Sequence, residues 1–510
     1  MNRKLRRATE SAKAGVTAAF LDVFNAALAA QQAGKLDEAE AGYRKAMALN
    51  PNVALVYNNL GVLMYSRGKH EDAIALQKKA QALDPRNSMS FNNMGVALNK
   101  LERLPEALAA FEQAMKLAPD DPEPLNNYGE TLSKLSRFAE GEAVLRRVLA
   151  ARPNHIEAHT NMGTALWGLG RLDEAADSFR RVIALKPDVA MAHKNLGMVL
   201  LLQGHLAQGW REYDWRWLAD SIPLRQYPCP VWTGAPLGDG ALFVWAEQGV
   251  GDEILHLSML ADLLARGIKL IWEVDERLVP LVQRTYPGAR IIPRRSPTAL
   301  DFAGVAAHLP AGSLGQVFRA DMAHFPRGRR GYLEPDRARS AALRAALNLA
   351  PGEKLIGLSW LSTNIKFAAS KSTKLADWAP LIATPGVRFV DLQYGDTSAE
   401  RAALARDHGV TLHHVDGLDL KADIDGVAAL AAACDLVITV SNTTAHIAGA
   451  IGAPGWVMIP AGIGKFWYWG FDAATSPWYP SLSLLRQADD QDWSPILADI
   501  KNRLKSLVGR

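Results

Sequence analysis

Pro51, Pro85, Pro119, Pro153 and Pro187 stand 34 residues apart, and Gly61, Gly95, Gly129, Gly163 and Gly197 keep the same step. Ala39, Ala73, Ala107 and Ala175 do so too, with Gly141 in the missing place. A strict period of this length admits few folds. One unit cannot bury its own apolar face, so successive units must stack on each other. Small residues fall where two helices would touch, and a proline closes each unit because it cannot continue the second helix.

The period and its residue pattern resemble the tetratricopeptide repeat, which implies pairs of antiparallel helices. The first unit is expected at about residues 17–50 and the last at about 188–218, making six pairs across 17–218. Residues 1–16 are basic and read as a solvated tail. Asp22 and Asn25 interrupt the apolar stretch that a secretory signal would need. No run approaches 18 uncharged apolar residues, so no spanning helix is expected. The only cysteines, Cys229 and Cys434, make no disulfide framework, which fits a reducing, cytoplasmic setting. With 57 basic and 53 acidic residues the net charge is +4, which speaks against a nucleic-acid binder working by charge alone.

After Trp217 the period disappears. Residues 219–238 are rich in Pro and Gly and read as a linker. Short apolar runs then alternate with helical patterns: 241–247, 268–274, 354–360, 387–393, 436–440 and 455–460. Such runs read as buried parallel strands, and their alternation with helices implies doubly wound layers. Two halves are expected, 239–340 and 341–486, followed by a terminal helix in 487–510. The fold class is therefore α plus α/β, a helical repeat solenoid followed by two Rossmann-like halves.

Asn25, Asn59, Asn93, Asn127, Asn161 and Asn195 form a column at the 34-residue step, and Asn58, Asn92 and Asn126 form a shorter one beside it. Asn costs a helix up to about 0.7 kcal/mol against Ala, so something must offset it. One reading is that the amides cap or knit neighbouring repeats. The other is that they line a groove and hydrogen-bond an extended peptide. An amide offers two donors and an acceptor, and so pairs with any backbone, at about 1 kcal/mol per bond. The column resembles the asparagine ladder of the O-linked N-acetylglucosamine transferases. That resemblance implies that the six residues bind a protein acceptor.

In the second half, "VWAEQGVGDEILHL" reads as a strand, a turn and a helix start, with Gly249 and Gly251 allowing close approach of the backbone. A second strand ends in Ser441, Asn442, Thr443 and Thr444, and His446 follows in the first turn of a helix. Hydroxyls and free amides at a helix start make an anion site, here at the carboxyl end of a strand. The alternative is that the turn only caps the helix.

The segments "AEQGVGDEI", "LSWLSTN", "KSTKLADWAPLIATPGVRFVDLQYG", "DIDGVAALAAACDLVITVSNTTAHIAGAIGAP" and "SPWYPSLSLLRQ" resemble the bacterial heptosyltransferase family, in its branch fused to repeats. "GWREYDWRW", at the end of the repeats, carries the same likeness, and its Trp210, Trp215 and Trp217 read as packing residues. The family implies a metal-independent GT-B glycosyltransferase whose second half holds a nucleotide sugar. By position it implies Asp252 as general base, with Glu247 as the runner-up; Asp252 as a mere helix cap is the plain alternative. It also implies donor contacts from Gly249, Gly251, Lys366, Lys371, Gln393, Ser441, Asn442, Thr443, Thr444 and His446. The two lysines would neutralise the leaving phosphate in place of a metal. The family commonly has an Asp where Ser441 stands, which favours a donor other than heptose.

The resulting expectation is a protein O-glycosyltransferase without a cofactor. It would use a UDP-, CMP- or ADP-linked sugar, and bacterial flagellin is the first acceptor to test. The other readings are transfer to lipopolysaccharide or another glycan, and a repeat scaffold with a degenerate transferase domain.

Overall fold

The computed structural model describes residues 3–220, 224–294, 301–362, 368–470, 474–488 and 492–509; for 3–16, 368 and 369 only the backbone is described. The chain divides into two compact units, Met1–Lys186 and Pro187–Arg510.

The first unit is five helical hairpins: Arg3–Gln32 with Leu36–Leu49, Ala54–Ser66 with His70–Leu83, Ser88–Lys100 with Leu104–Leu117, Pro122–Lys134 with Phe138–Ala151, and Ile156–Gly168 with Leu172–Leu185. Each packs on the next. The first helix takes in most of the segment read as a tail. The glycine column is needed for contact within a hairpin. A Cβ on Gly95 would lie 2.6 Å from the Phe111 ring, and one on Gly163 would lie 2.7 Å from the Phe179 ring. A second period marks the turns. Gly34, Gly68 and Gly170 have φ near +74°, and Glu102 and Ser136 hold the same left-handed place at +58° and +60°. The closing prolines also accept hydrogen bonds: Tyr57 Oη donates to the Pro51 carbonyl at 3.0 Å, and His159 Nε2 lies 2.9 Å from that of Pro153.

The second unit opens with a sixth hairpin, Ala190–Gln203 with Leu206–Tyr213. The unit boundary thus falls inside the periodic region, because this hairpin packs with later elements of the chain. Two parallel sheets come next. The first contains β1 (Ala241–Trp245), β2 (Lys269–Val274), β3 (Arg290–Pro293) and β4 (Val305–Pro310), in the order β3-β2-β1-β4. The second contains β5 (Lys354–Ser359), β6 (Val387–Asp391), β7 (Leu436–Val440), β8 (Gly455–Ile459) and β9 (Leu482–Arg486), in the order β6-β5-β7-β8-β9. All pairings are parallel. The six expected strands are present; β3, β4 and β9 come in addition to them. Part of the expected linker is ordered against the first sheet, where the buried Trp232 donates its amide to the His308 carbonyl at 2.8 Å. Among the described residues no helix is long and apolar enough to cross a membrane.

Both strand orders reverse direction once, the first sheet between β1 and β4 and the second between β5 and β7. Open parallel sheets bind ligands outside the carboxyl ends of the strands at such points.

Candidate active site at the strand ends

At the first reversal, β1 runs into Ala246-Glu247-Gln248-Gly249 and then the helix Val250–Leu257. Glu247 is buried and wholly committed. Arg216, from the short helix Arg216–Ala219 after the sixth hairpin, donates to both of its oxygens at 2.8 and 2.9 Å, and the Gly312 amide donates at 2.6 Å. Burial opposes ionisation, yet Arg216 holds this carboxyl below its ordinary range. Glu247 therefore anchors the loop and is not placed to take a proton. Arg216 also binds Asp214 (2.7 Å) and the Ser313 hydroxyl (3.1 Å). Gln248 donates to Tyr213 Oη at 3.0 Å from a left-handed backbone, φ +60°. Trp210 is buried with Nε1 donating to the Arg319 carbonyl (2.9 Å), and Trp217 packs on Trp245 at 5.2 Å. His193 stacks on Trp215 at 3.9 Å. These aromatic side chains pack on neighbouring residues.

Asp252 sits in the first turn of the helix and is half-buried. One carboxyl oxygen accepts from the Gly249 amide at 3.3 Å, so it does cap the helix. Burial raises its pKa to about 6; the Gly249 bond opposes the rise and the Glu247 charge adds to it. Lys371 lies close enough to act on it electrostatically. Lys371 is only 3% exposed, and its Nζ is 3.8 Å from the Phe466 ring centroid. Burial pushes its pKa down to about 7 against the pull of Asp252. Gly251 is a point of close approach between the halves: a Cβ there would lie 2.9 Å from the His446 ring. The structure thus brings together Gly249, Gly251 and Asp252 from the first sheet, and Lys371 and His446 from the second. Lys366 lies outside the described residues.

At the second reversal the turn 441–444 closes on itself. Asn442 caps the helix Thr443–Ala450, its Oδ1 accepting from the amides of Thr444 (3.0 Å) and Ala445 (3.3 Å). Its Nδ2 donates to the Ser359 hydroxyl and the Leu361 carbonyl, each at 2.8 Å, and so ties β7 to β5. Ser441 Oγ accepts from Trp469 Nε1 at 2.7 Å, and Thr444 Oγ1 donates to the Leu392 carbonyl at 3.3 Å. These three side chains build the turn, and Thr443 alone of the four is partly exposed. Gln393 also has structural work. Its buried oxygen accepts from Ser359 Oγ and from the amides of Trp360 and Leu361 at 2.8–3.0 Å, which clamps β5 to β6. His446 is neutral rather than cationic. Burial lowers its pKa to about 3, and Nδ1 pairs with Tyr479 Oη at 2.7 Å. Tyr468 was missed by sequence reasoning; it is buried, and both burial and the Asp252 charge raise its hydroxyl pKa. Its only sequence signal was the aromatic run around it.

The amide column divides its hydrogen bonding. Asn93 donates to Asn58, Asn127 to Asn92 and Asn161 to Asn126, each at 3.0 Å, and Asn58 donates to Asn59 at 3.2 Å. The two columns therefore knit consecutive repeats, as the plainer reading held. Asn59, Asn93, Asn127, Asn161 and Asn195 are half-buried and Asn25 is exposed, so each of these residues keeps some contact with solvent.

Models of the tetratricopeptide repeat match residues 98–163, and also 24–88 and 160–209. The helical hairpins are tetratricopeptide repeats. Protein FlbA of Caulobacter vibrioides is 34% identical over 334 residues, covering 61% of this chain and 54% of that protein. This chain spans about half the length of that relative. An alignment of that length cannot be contained in the hairpins and must run into the two-sheet region. Among solved structures, YrrB, described as a tetratricopeptide protein with an unusual peptide-binding site, is 26% identical. It covers 35% of this chain and 93% of its own, with a TM-score of 0.29. PilF of Pseudomonas aeruginosa is 20% identical, covering 41% of this chain and 90% of its own, with a TM-score of 0.34.

Proposed function

We propose that this chain is a glycosyltransferase that moves a sugar from a UDP-, CMP- or ADP-linked donor to a Ser or Thr hydroxyl of a protein. One observation carries the reading. A half-buried carboxylate, Asp252, and a buried amine, Lys371, lie within electrostatic reach of each other beside the point where Gly251 meets the His446 ring. Asp252 takes the hydroxyl proton as the acceptor oxygen bonds to the anomeric carbon and the bond from that carbon to the phosphate oxygen breaks. With a pKa near 6, Asp252 is ionised at neutral pH yet basic enough to accept that proton. The phosphate leaves with the bonding electrons, and Lys371, once protonated, stabilises it. Protein recruitment falls to the tetratricopeptide repeats, whose architecture supports an interaction role. Flagellin is the acceptor to test first, and the cytoplasm is the compartment proposed.

A second reading has one observation in its favour. The asparagine column already works in knitting the repeats, so it does not by itself require a peptide. A glycan acceptor such as lipopolysaccharide would then use the same donor chemistry.

Donor chemistry is tested by calorimetric titration of the full chain with UDP, CMP and ADP. A bound phosphate raises the pKa of Lys371, so binding at pH 8 takes up close to one proton, seen as a dependence of the heat on buffer ionisation. Lys371→Met abolishes that uptake. Absence of binding by all three nucleotides would overturn the proposal.

A further inference from the structure

The segment leading from the first sheet to the second frames a cavity away from the strand ends. It is bounded by Arg319 and Ser258 on one side, by Phe325–Tyr332 along the segment, and by Pro477–Trp478 on the other. It measures about 340 Å³ counted to its mouth and is narrow within. Its inner end therefore takes one small polar group. Ser258 is the C-cap of the helix whose first turn holds Asp252, so the cavity adjoins that helix at its far end.

The chemistry of the walls is one-sided. Three of the lining residues, Arg319, Arg329 and Arg330, are arginines, and none of those described is acidic. Arg319 is 2% exposed. Its Nη groups reach the Phe318 carbonyl (2.7 Å), the Ser258 carbonyl (3.4 Å) and Asp262 (2.7 Å), while its buried Nε has no partner among the described residues. The Ser258 hydroxyl, 7% exposed, has none either. Buried donors are rarely left so, because the desolvation cost is not recovered. Arg329 bonds to neutral oxygens, the Gly331 carbonyl and Tyr286 Oη, both at 3.1 Å, so its charge is not matched there. Arg330 lines the cavity from an exposed position. Asp262 balances the Arg319 charge, so a water would satisfy the two orphan donors and leave the charges of Arg329 and Arg330 without a carboxylate among the described lining residues.

We propose that this cavity binds an oxyanion, a phosphate or carboxylate group, through Arg319 Nε, the Ser258 hydroxyl and the Arg330 guanidinium. A guanidinium binds either group with charge-assisted bonds. The walls belong to both sheets' halves and to the segment between them, and the three donors come from the first half and that segment.

The test is calorimetric titration of the full chain with inorganic phosphate and, separately, with acetate, in a cationic buffer. Saturable binding of phosphate is expected. Ser258→Ala and Arg330→Glu each weaken it at least tenfold, whereas Lys371→Met leaves it unchanged. Arg330 reaches solvent and Ser258 loses only an unpaired hydroxyl, so both variants fold. Binding of phosphate alone identifies a phosphoryl ligand; binding of acetate as well identifies the site as one for carboxylates too. Neither anion binding, or binding that depends on Lys371 and not on Ser258 and Arg330, overturns the proposal.

Discussion

The two sheets of the second unit end in crevices of the same kind, and the chain fills them differently. Between β1 and β4 the crevice is occupied from outside the sheet, by the Arg216 guanidinium on Glu247 and Ser313. Between β5 and β7 it is spanned from within, by the Asn442 amide bonded to Ser359 and Leu361. The first crevice thereby becomes a socket for the segment after the last hairpin. Ligand chemistry is left to the rim, where Asp252 and Lys371 stand. The difference teaches that a strand-order reversal marks a place of strong hydrogen bonding, which a chain can spend on assembly as well as on a ligand.

The largest effect expected is at the socket. Arg216→Met leaves Glu247 buried and unpaired, which costs about 3–5 kcal/mol. Thermal unfolding followed by Trp fluorescence should show the second unit melting earlier while the helical signal of the first unit is retained. An unchanged melt would mean that the socket is only a contact.

A smaller effect is expected at the rim. Lys371→Met should lower turnover about 10²-fold, or about 3 kcal/mol, while raising Tm by a few degrees. The sign follows from its pKa. The folded chain holds this proton less tightly than the unfolded one, so stability is lost as pH falls from 10.5 through about 7. Asp252 holds its proton more tightly when folded, so it costs stability as pH rises from 3.8 through about 6. The free-chain values govern kcat/KM, which should therefore peak between about 6 and 7, falling below as Asp252 is protonated and above as Lys371 loses its charge. The alkaline fall should vanish from the pH–rate profile of Lys371→Met.

The repeats are expected to respond least. Glu102→Gly and Ser136→Gly put glycine where the chain is left-handed, and each should stabilise the first unit by about 1 kcal/mol in denaturant unfolding. Asn127→Ala removes the bond to Asn92, at a cost of about 1 kcal/mol. If acceptor affinity falls tenfold or more while stability changes by only that amount, the column binds peptide as well as knitting repeats.

Much of this architecture was legible. The 34-residue columns located the hairpins because residues such as Phe111 and Phe179 leave room only for glycine opposite them. The missed strands had weaker signatures: β4 carries His308 among small residues, β3 is four residues long, and β9 is an edge strand. The site was legible in position and less so in role. Gln393, Asn442 and Glu247 are polar residues at strand ends, where sequence cannot separate a ligand contact from a clamp. Only the identity of their partners, Trp360, Ser359 and Arg216, settles which they are. The unit boundary was hidden because the last hairpin keeps the period while packing with the sheets.

The central claim is tested most directly by intact-mass measurement of flagellin co-expressed with the wild-type chain and with Asp252→Asn. The account predicts a discrete mass increment equal to one or more sugar residues with the wild type, and its loss with the variant. The same increment in both samples would contradict it.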